Sequence, residues 1–409
     1  MTITSAALAA AAILAAASAA HGAPGFVTRD GARLMLDGRE YRAIGVNAPG
    51  LFTDYAGIGL HLEETHGSAR TARRSAEEAV RSAAKQRIAF IRFWATGFWP
   101  KDMRLYWDDP TTYWARMDEV FALCRRSGVR LVPSIFFNAS MWPLLCEEDC
   151  SAIADPRSRT YAAMRRYARE IVSRYRDDTN VLAWEICNEL CLAADVNSEG
   201  RDAPGPGVMD GPWHKSKWNA ADSLTTADIL RFYADMTAFI KSIDANHLVT
   251  SGDAGPRPTS VSLRESFPRQ VWTRDTLRQN LASLLTQQPE PLDLLSIHHY
   301  GSLTESDAEE NMGVPSSLEA LRARVRCARA ARVPIFVGEL GNSRPTLAED
   351  RQGRYVSAAI DLLEAEGGSL AAVWAWHFPW QKANNVTAES HPALMKRIAA
   401  FNASHAGPR

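Results

Sequence analysis

The chain has 409 residues, 46% of them hydrophobic and 23% charged, a globular composition with ample length for a buried core. Its 46 lysines and arginines almost cancel its 47 aspartates and glutamates, so no broad field exists to gather nucleic acid or an anionic membrane. A neutral partner is expected instead.

Residues 6–20, AALAAAAILAAASAA, are apolar and almost all small, and Ala17-Ser18-Ala19 supplies a small-x-small cleavage signature. The run is shorter than the about 18 apolar residues of a membrane span. Residues 1–20 therefore read as a signal peptide, although MTITS brings no Lys or Arg, and the product is expected outside the cell or in the periplasm. A single domain is expected over residues 24–405.

Export permits disulfides. Four of the six cysteines fall as Cys146-x3-Cys150 and Cys187-x3-Cys191. Zinc ribbons normally use C-x2-C pairs, so disulfides among these four are expected ahead of a metal site, in a pairing that spacing leaves open. Cys124 and Cys327 sit alone within helical patterns and are expected to be buried free thiols.

After the leader, Asp30-Gly31 and Asp37-Gly38 mark two hairpin turns. Apolar runs at 41–47, 88–94, 129–137, 181–187, 248–252, 294–300, 334–339 and 370–376 then alternate with helical periodicities near 68–86, 112–127, 157–176, 225–243, 275–287, 316–331, 348–366 and 391–403. In the third helix, Tyr161, Met164, Tyr167, Ile171 and Tyr175 recur at helical spacing between arginines. Eight strand-helix units with strands lacking polar alternation predict a (β/α)₈ TIM barrel, ahead of an open doubly wound sheet. The connections at 48–67, 192–222 and 253–274 are long, and in a barrel they lie over the C-terminal face, where active sites form. The second is rich in Gly and Pro, but Trp213 and Trp218 argue against a disordered linker.

Two of the strands end in carboxylates: VLAWEICNEL at Asn188-Glu189 and PIFVGELG at Glu339. On one barrel both converge over the same mouth, and the preceding apolar runs favour a desolvated, tuned pKa. Paired carboxylates suit glycosidic bonds, where one acid protonates the leaving oxygen and one carboxylate meets the anomeric carbon. Glu185, four residues before Glu189, is expected lower in the barrel as a structural residue.

Trp184-Glu185-Ile186-Cys187-Asn188-Glu189 resembles the strand-four acid/base motif of glycoside hydrolase family 5, and Glu339 in Val337-Gly338-Glu339-Leu340-Gly341 resembles that family's strand-seven nucleophile. Arg92 in Ile91-Arg92-Phe93-Trp94 matches the arginine that keeps the nucleophile ionised, and His298-His299-Tyr300 is similar to the family's His-x-Tyr. Trp374 and Trp376 supply candidates for the platform under the reacting sugar. The resemblance implies a retaining glycosidase with Glu189 as acid/base and Glu339 as nucleophile. Arg92, Asn188, His298, Tyr300, Trp94, Asn138, Trp374 and Trp376 would bind substrate.

His298 and His299 also invite a metal-dependent reading, but neighbours on a strand point to opposite faces, so no metal or cofactor is expected. Trp99, Trp142, Trp213 and Trp218 are further candidate sugar platforms. The Arg92-x-Trp94 pattern and Asn138 resemble mannan-cleaving relatives, which favours endo-β-1,4-mannanase over endoglucanase or an exo-acting β-glycosidase. A sugar-binding pseudoenzyme is the alternative without turnover. The expected partner is a β-linked polysaccharide or oligosaccharide, and the protein is expected to act as a monomer.

Overall fold

The computed structural model describes residues 23–59, 62–303, 313–346 and 350–407; the predicted leader lies outside them. A small antiparallel sheet comes first: β1 (Val27–Asp30), β2 (Arg33–Leu36) and β3 (Arg39–Tyr41). The β2–β3 turn places Asp37 at φ 48° and Gly38 at φ 78°, the paired positive φ of a type I′ hairpin that Asp-Gly favours.

Eight parallel strands follow: β4 (Ala43–Asn47), β5 (Phe90–Trp94), β6 (Arg130–Phe136), β7 (Ala183–Cys187), β8 (Leu248–Thr250), β9 (Leu295–Gly301), β10 (Ile335–Asn342) and β11 (Leu370–Val373). They pair in the order β8-β7-β6-β5-β4-β11-β10-β9, and a parallel bridge between Thr250 and Leu294 brings the two edges together. The main helices are α1 (Ala69–Lys85), α2 (Pro110–Arg126), α3 (Arg159–Tyr175), α4 (Thr226–Ile243), α5 (Leu277–Thr286), α6 (Ser317–Ala330), α7 (Arg351–Glu366) and α8 (Pro392–His405). This is the predicted (β/α)₈ barrel.

Two apolar layers hold it. Strand and helix side chains form the larger one, including the predicted Tyr161–Tyr175 face of α3. The smaller one fills the barrel's lower interior with residues at or near the strand starts, among them Ala43, Phe90, Val132, Ala183, Leu248, Leu294, Phe336 and Leu370. Leu34 of the hairpin, fully buried, joins this second layer and plugs the barrel from below. The upper interior is thereby left to polar side chains.

The structure departs from the sequence reading at several strand ends and in the long connections. Tyr41 belongs to the hairpin rather than to the first barrel strand, pairing with Leu34. The last strand stops at Val373 because the chain beyond it pairs locally: Ala375 N–H donates to Asn384 O at 3.0 Å and Val386 N–H to Ala375 O at 2.7 Å. The 48–67 connection contains short helices at Leu51–Ala56 and Leu62–His66. The 192–222 connection is ordered, through an Asp202–Lys217 bridge and a Lys215 ammonium that donates to Asp222 at 2.8 Å.

All six cysteines are free, so the expected disulfides are absent. Each thiol has its own surroundings: Cys191 Sγ donates to Gly255 O at 3.2 Å, Cys146 faces Thr160, and Cys150 lies beside Asp222. Cys124 is buried as expected, whereas Cys327 is half-buried.

Candidate active site

Parallel register assembles the site from neighbouring strand ends. Asn47 pairs with Arg92 across β4 and β5, and His298 with Glu339 across β9 and β10. Arg92, with no exposed side-chain surface, is the hub. Its Nε donates to both oxygens of Glu185 at 3.0 and 2.8 Å. Nη1 donates to Asn47 Oδ1 at 2.9 Å and Glu339 Oε1 at 3.0 Å, and Nη2 to Asn188 Oδ1 at 2.6 Å. Burial alone would lower the Arg92 pKa, but Glu185 and Glu339 outweigh it and raise it. The guanidinium is permanently charged and pinned in one plane.

Asn47 was not among the predicted residues. Its amide donates to Gly338 O at 2.9 Å and Ala372 O at 3.1 Å, so it crosslinks β4 to β10 and β11 while its carbonyl receives Arg92. The signal was present: Asn47 is a polar residue closing an apolar strand, as Arg92 and Glu339 are. Glu185 is buried below Glu189 as predicted, and its role is to share Arg92 with Glu339.

Glu189 stands just past β7 with φ 53°. Its side chain keeps 34% exposure, and Oε1 lies 2.7 Å from His298 Nδ1. Burial raises the Glu189 pKa, offset in part by Arg92 and Arg257. Glu339 is 6% exposed in its side chain. It accepts from the Tyr300 hydroxyl at 2.5 Å, and burial, then the Glu339 charge, pushes the Tyr300 pKa well up, so the phenol keeps its proton. His298 Nδ1 stands 3.6 Å from Glu339 Oε2, and burial lowers the His298 pKa to about 4, which makes the ring neutral at working pH.

One oxygen of Glu189, one of Glu339 and a nitrogen of His298 lie within 4.8 Å of one another. The two carboxylates thus approach closely enough for the retaining class, whose carboxyl groups stand about 5–5.5 Å apart. The same three atoms form a donor set that can hold a cation. Yet Glu339 already faces the Arg92 charge at 3.0 Å, which a cation in the triangle would have to oppose. His299 turns away, its Nε2 2.7 Å from Tyr355 hydroxyl, as strand alternation predicted.

The aromatic candidates divide. Trp374 is 8% exposed and packs with Phe137, Ala375 and Phe378, with Trp94, Phe98 and Tyr300 against the group. Because Tyr300 holds Glu339, Trp374 is the platform candidate. Trp376 is not: it is fully buried outside the barrel, where its indole donates to Ala79 O of α1 at 2.9 Å. Trp142 is likewise fully buried, between the rings of Phe136 and Tyr167. Asn138 spends its amide on Phe98 O at 2.8 Å and its carbonyl on Ser140 at 2.8 Å, so it shapes the loops around the mouth rather than offering both groups to substrate. Trp99, Trp213 and Trp218 are half-buried on loops.

The sequence matches the family described as Cellulase (glycosyl hydrolase family 5) over residues 53–378, more than half the chain and including both candidate glutamates. The chain belongs to glycosyl hydrolase family 5. It is 24% identical over 400 residues to a putative mannan endo-1,4-β-mannosidase 9 of Oryza sativa subsp. japonica, covering 90% of this chain and 86% of the relative. It is 26% identical over 359 residues to a probable mannan endo-1,4-β-mannosidase C of Aspergillus terreus, covering 74% and 79%. The fold is also seen in a solved endo-1,4-β-mannanase from Rhizomucor miehei, with TM-score 0.61 and 17% identity over 92% of this chain and 99% of that one. The protein is a glycosyl hydrolase of this family, on the barrel the family shares.

Proposed function

We propose that this hydrolase is a secreted endo-β-1,4-mannanase that works by double displacement. The mechanism rests on one observation above others: two carboxylates with oxygens within 4.8 Å, one in a neutral-histidine environment and the other bound to arginine and tyrosine. Glu339, ionised beside Arg92, attacks the anomeric carbon as the glycosidic C–O bond breaks, and Glu189 gives its proton to the leaving oxygen. Water then attacks the glycosyl ester, Glu189 takes the water's proton, and Glu339 leaves as carboxylate. Arg92 and Tyr300 hydrogen-bond Glu339 and aim it, His298 positions Glu189, and Asn188 keeps its amide N–H groups for a sugar hydroxyl. The preference for mannan is supported by the relatives matched over most of the chain, each named a mannan endo-1,4-β-mannosidase. Export is supported by the apolar leader.

The test is purified protein on β-mannan, glucomannan, cellulose and xyloglucan, with Glu189→Gln and Glu339→Gln. The expected result is highest activity on mannan, falling in the Glu189 variant by about 10²–10⁴-fold and in the Glu339 variant by about 10³-fold or more. Activity surviving in Glu339→Gln would sink the mechanism, and binding of mannan with no turnover would favour a sugar-binding protein. Time-resolved NMR of the first product should show the β-anomer.

A further inference from the structure

Glu339 stands on an irregular stretch of β10. Between Val337 and Glu339 that strand carries one residue more than β9, and between Val337 and Leu340 one more than β11. The extra residue makes a bulge, which re-aims the side chain beside it and breaks the ladder there. Within the bulge, Gly338 O accepts from the Asn47 amide at 2.9 Å. Past it, pairing has to resume in a fixed register, or Glu339 would not keep its aim.

Gln352 of α7, a buried side chain, stands where pairing resumes. Its Oε1 accepts from Asn342 N–H at 2.7 Å, and its Nε2 donates to Trp374 O at 2.5 Å. The same two segments also meet directly, through Trp374 N–H donating to Leu340 O at 3.0 Å. β11 has already ended at Val373, so the Trp374 carbonyl has no regular strand to receive it and takes its donor from a side chain instead. One amide thus ties the end of the nucleophile strand to the backbone of the platform candidate.

The helix that carries Gln352 is itself fixed. Asp350 caps it by accepting from Gly353 N–H at 2.8 Å, and a Cβ on Gly353 would fall 2.4 Å from that carboxylate oxygen. Three residues beyond Gln352, on the same face, the Tyr355 hydroxyl lies 2.7 Å from His299 Nε2. His299 stands between His298 and Tyr300, whose side chains reach Glu189 and Glu339. One face of α7 therefore holds β9, β10 and the segment after β11 from outside the barrel.

We propose that Gln352 is a positioning residue for the displacement: without touching the sugar, it sets the Glu339 carboxylate against the ring that rests on Trp374. It rests on the double-displacement reading above. A side chain that only filled space could be replaced by any other of its size. One that positions needs an acceptor toward Asn342 and a donor toward Trp374 together.

Two variants separate these cases. Gln352→Met keeps the volume and removes both bonds. Gln352→Glu keeps both only while its carboxyl is neutral, because the protonated acid accepts through one oxygen and donates through the other. Burial, the facing Trp374 carbonyl and Asp350 two residues away favour that neutral form, against the helix N-terminus and the adjacent Arg351 and Arg354. The experiment measures kcat and KM on mannan between pH 4 and pH 8, at a temperature where circular dichroism shows parent and variants folded. Gln352→Met should lower kcat by about ten- to a hundredfold and change KM less than about threefold. Gln352→Glu should come within about threefold of the parent at the acid end, and its ratio to the parent should fall as pH rises and the donor is lost. A Gln352→Met protein with the parent's kcat, or a Gln352→Glu ratio that stays flat with pH, overturns the proposal. If Gln352→Met does not fold, the Gln352→Glu series decides alone. A parent that turns over neither mannan, glucomannan, cellulose nor xyloglucan overturns the reading on which the proposal rests, and the proposal with it.

Discussion

Arg92 makes five hydrogen bonds to four side chains from a position with no exposed surface, and that arrangement predicts its mutational profile. Arg92→Met would leave Glu185 and Glu339 buried without their counter-charge, and urea unfolding should show a loss of about 3–5 kcal/mol. Arg92→Lys should recover little, because a point charge cannot reach along three directions at once. Adding Glu185→Gln to Arg92→Met should restore part of the loss, since it removes one of the stranded charges; an additive double mutant would mean that the pair is not coupled. Glu189 predicts a pH effect of definite sign. Burial raises its folded pKa, offset in part by Arg92 and Arg257. Between the unfolded carboxyl value and that raised value the folded state holds a proton the unfolded state has lost, so this group's contribution to stability falls as pH rises through the window. Glu189→Gln should therefore melt higher than the parent at pH 7 and alike at pH 4. In the active enzyme the same proton is the one delivered, so the alkaline limb of kcat/KM should lie above the range of an ordinary glutamate. It should move further up in Arg257→Met, which removes one of the cations that lower it.

At the scale of elements, the β8 connection holds the acid/base segment in place. Glu189 N–H donates to Gly252 O at 3.0 Å, and Cys191 N–H to Asp253 Oδ1 at 3.0 Å. Arg257 Nε donates to Leu192 O at 3.0 Å. Gly252 sits at φ 80°, and a Cβ there would fall 1.8 Å from Cys187 O and 2.8 Å from the Glu185 carboxyl. Gly252→Ala must therefore push β8 from β7, with a stability loss of about 2 kcal/mol or more and a fall in kcat larger than the rise in KM, because Glu189 shifts with its hydrogen-bond partner. Equal changes in kcat and KM would argue against that coupling. The same elements explain what the sequence disclosed. Strands and helices were legible because buried parallel strands lack polar alternation while the covering helices keep one wet face. The strand-end residues were legible because a charge closing an apolar run is conspicuous. What escaped depends on neighbours distant in sequence. Glu185 could be placed in the barrel, but its partner Arg92 lies two strands away, and Trp374 and Trp376 could not be told apart until the local pairing after Val373 fixed which one faces the mouth. Trp142 looked like a loop platform because nothing in the local pattern announces that Phe136 and Tyr167 enclose it.

For the molecule as a whole, barrel closure replaces the crosslinks that cysteine spacing suggested. The C-x3-C pairs were read as a disulfide framework because export permits one, but such frameworks compensate for small cores, and this chain buries two layers around a closed sheet. Burial raises the pKa of Cys124, Cys150, Cys187 and Cys191. It does the same for the less buried Cys146 and Cys327. Because the thiolate is the reactive form, these side chains should resist oxidation even in an oxidising compartment. The native protein should thus react slowly with a thiol reagent at pH 8, release six equivalents in guanidinium chloride without added reductant, and melt at the same temperature with and without dithiothreitol. Four equivalents and a melting temperature that drops in reductant would instead mean that one pair is joined, and Cys187 and Cys191, which flank Glu189, would then be the pair whose replacement by serine should be measured first for its effect on turnover.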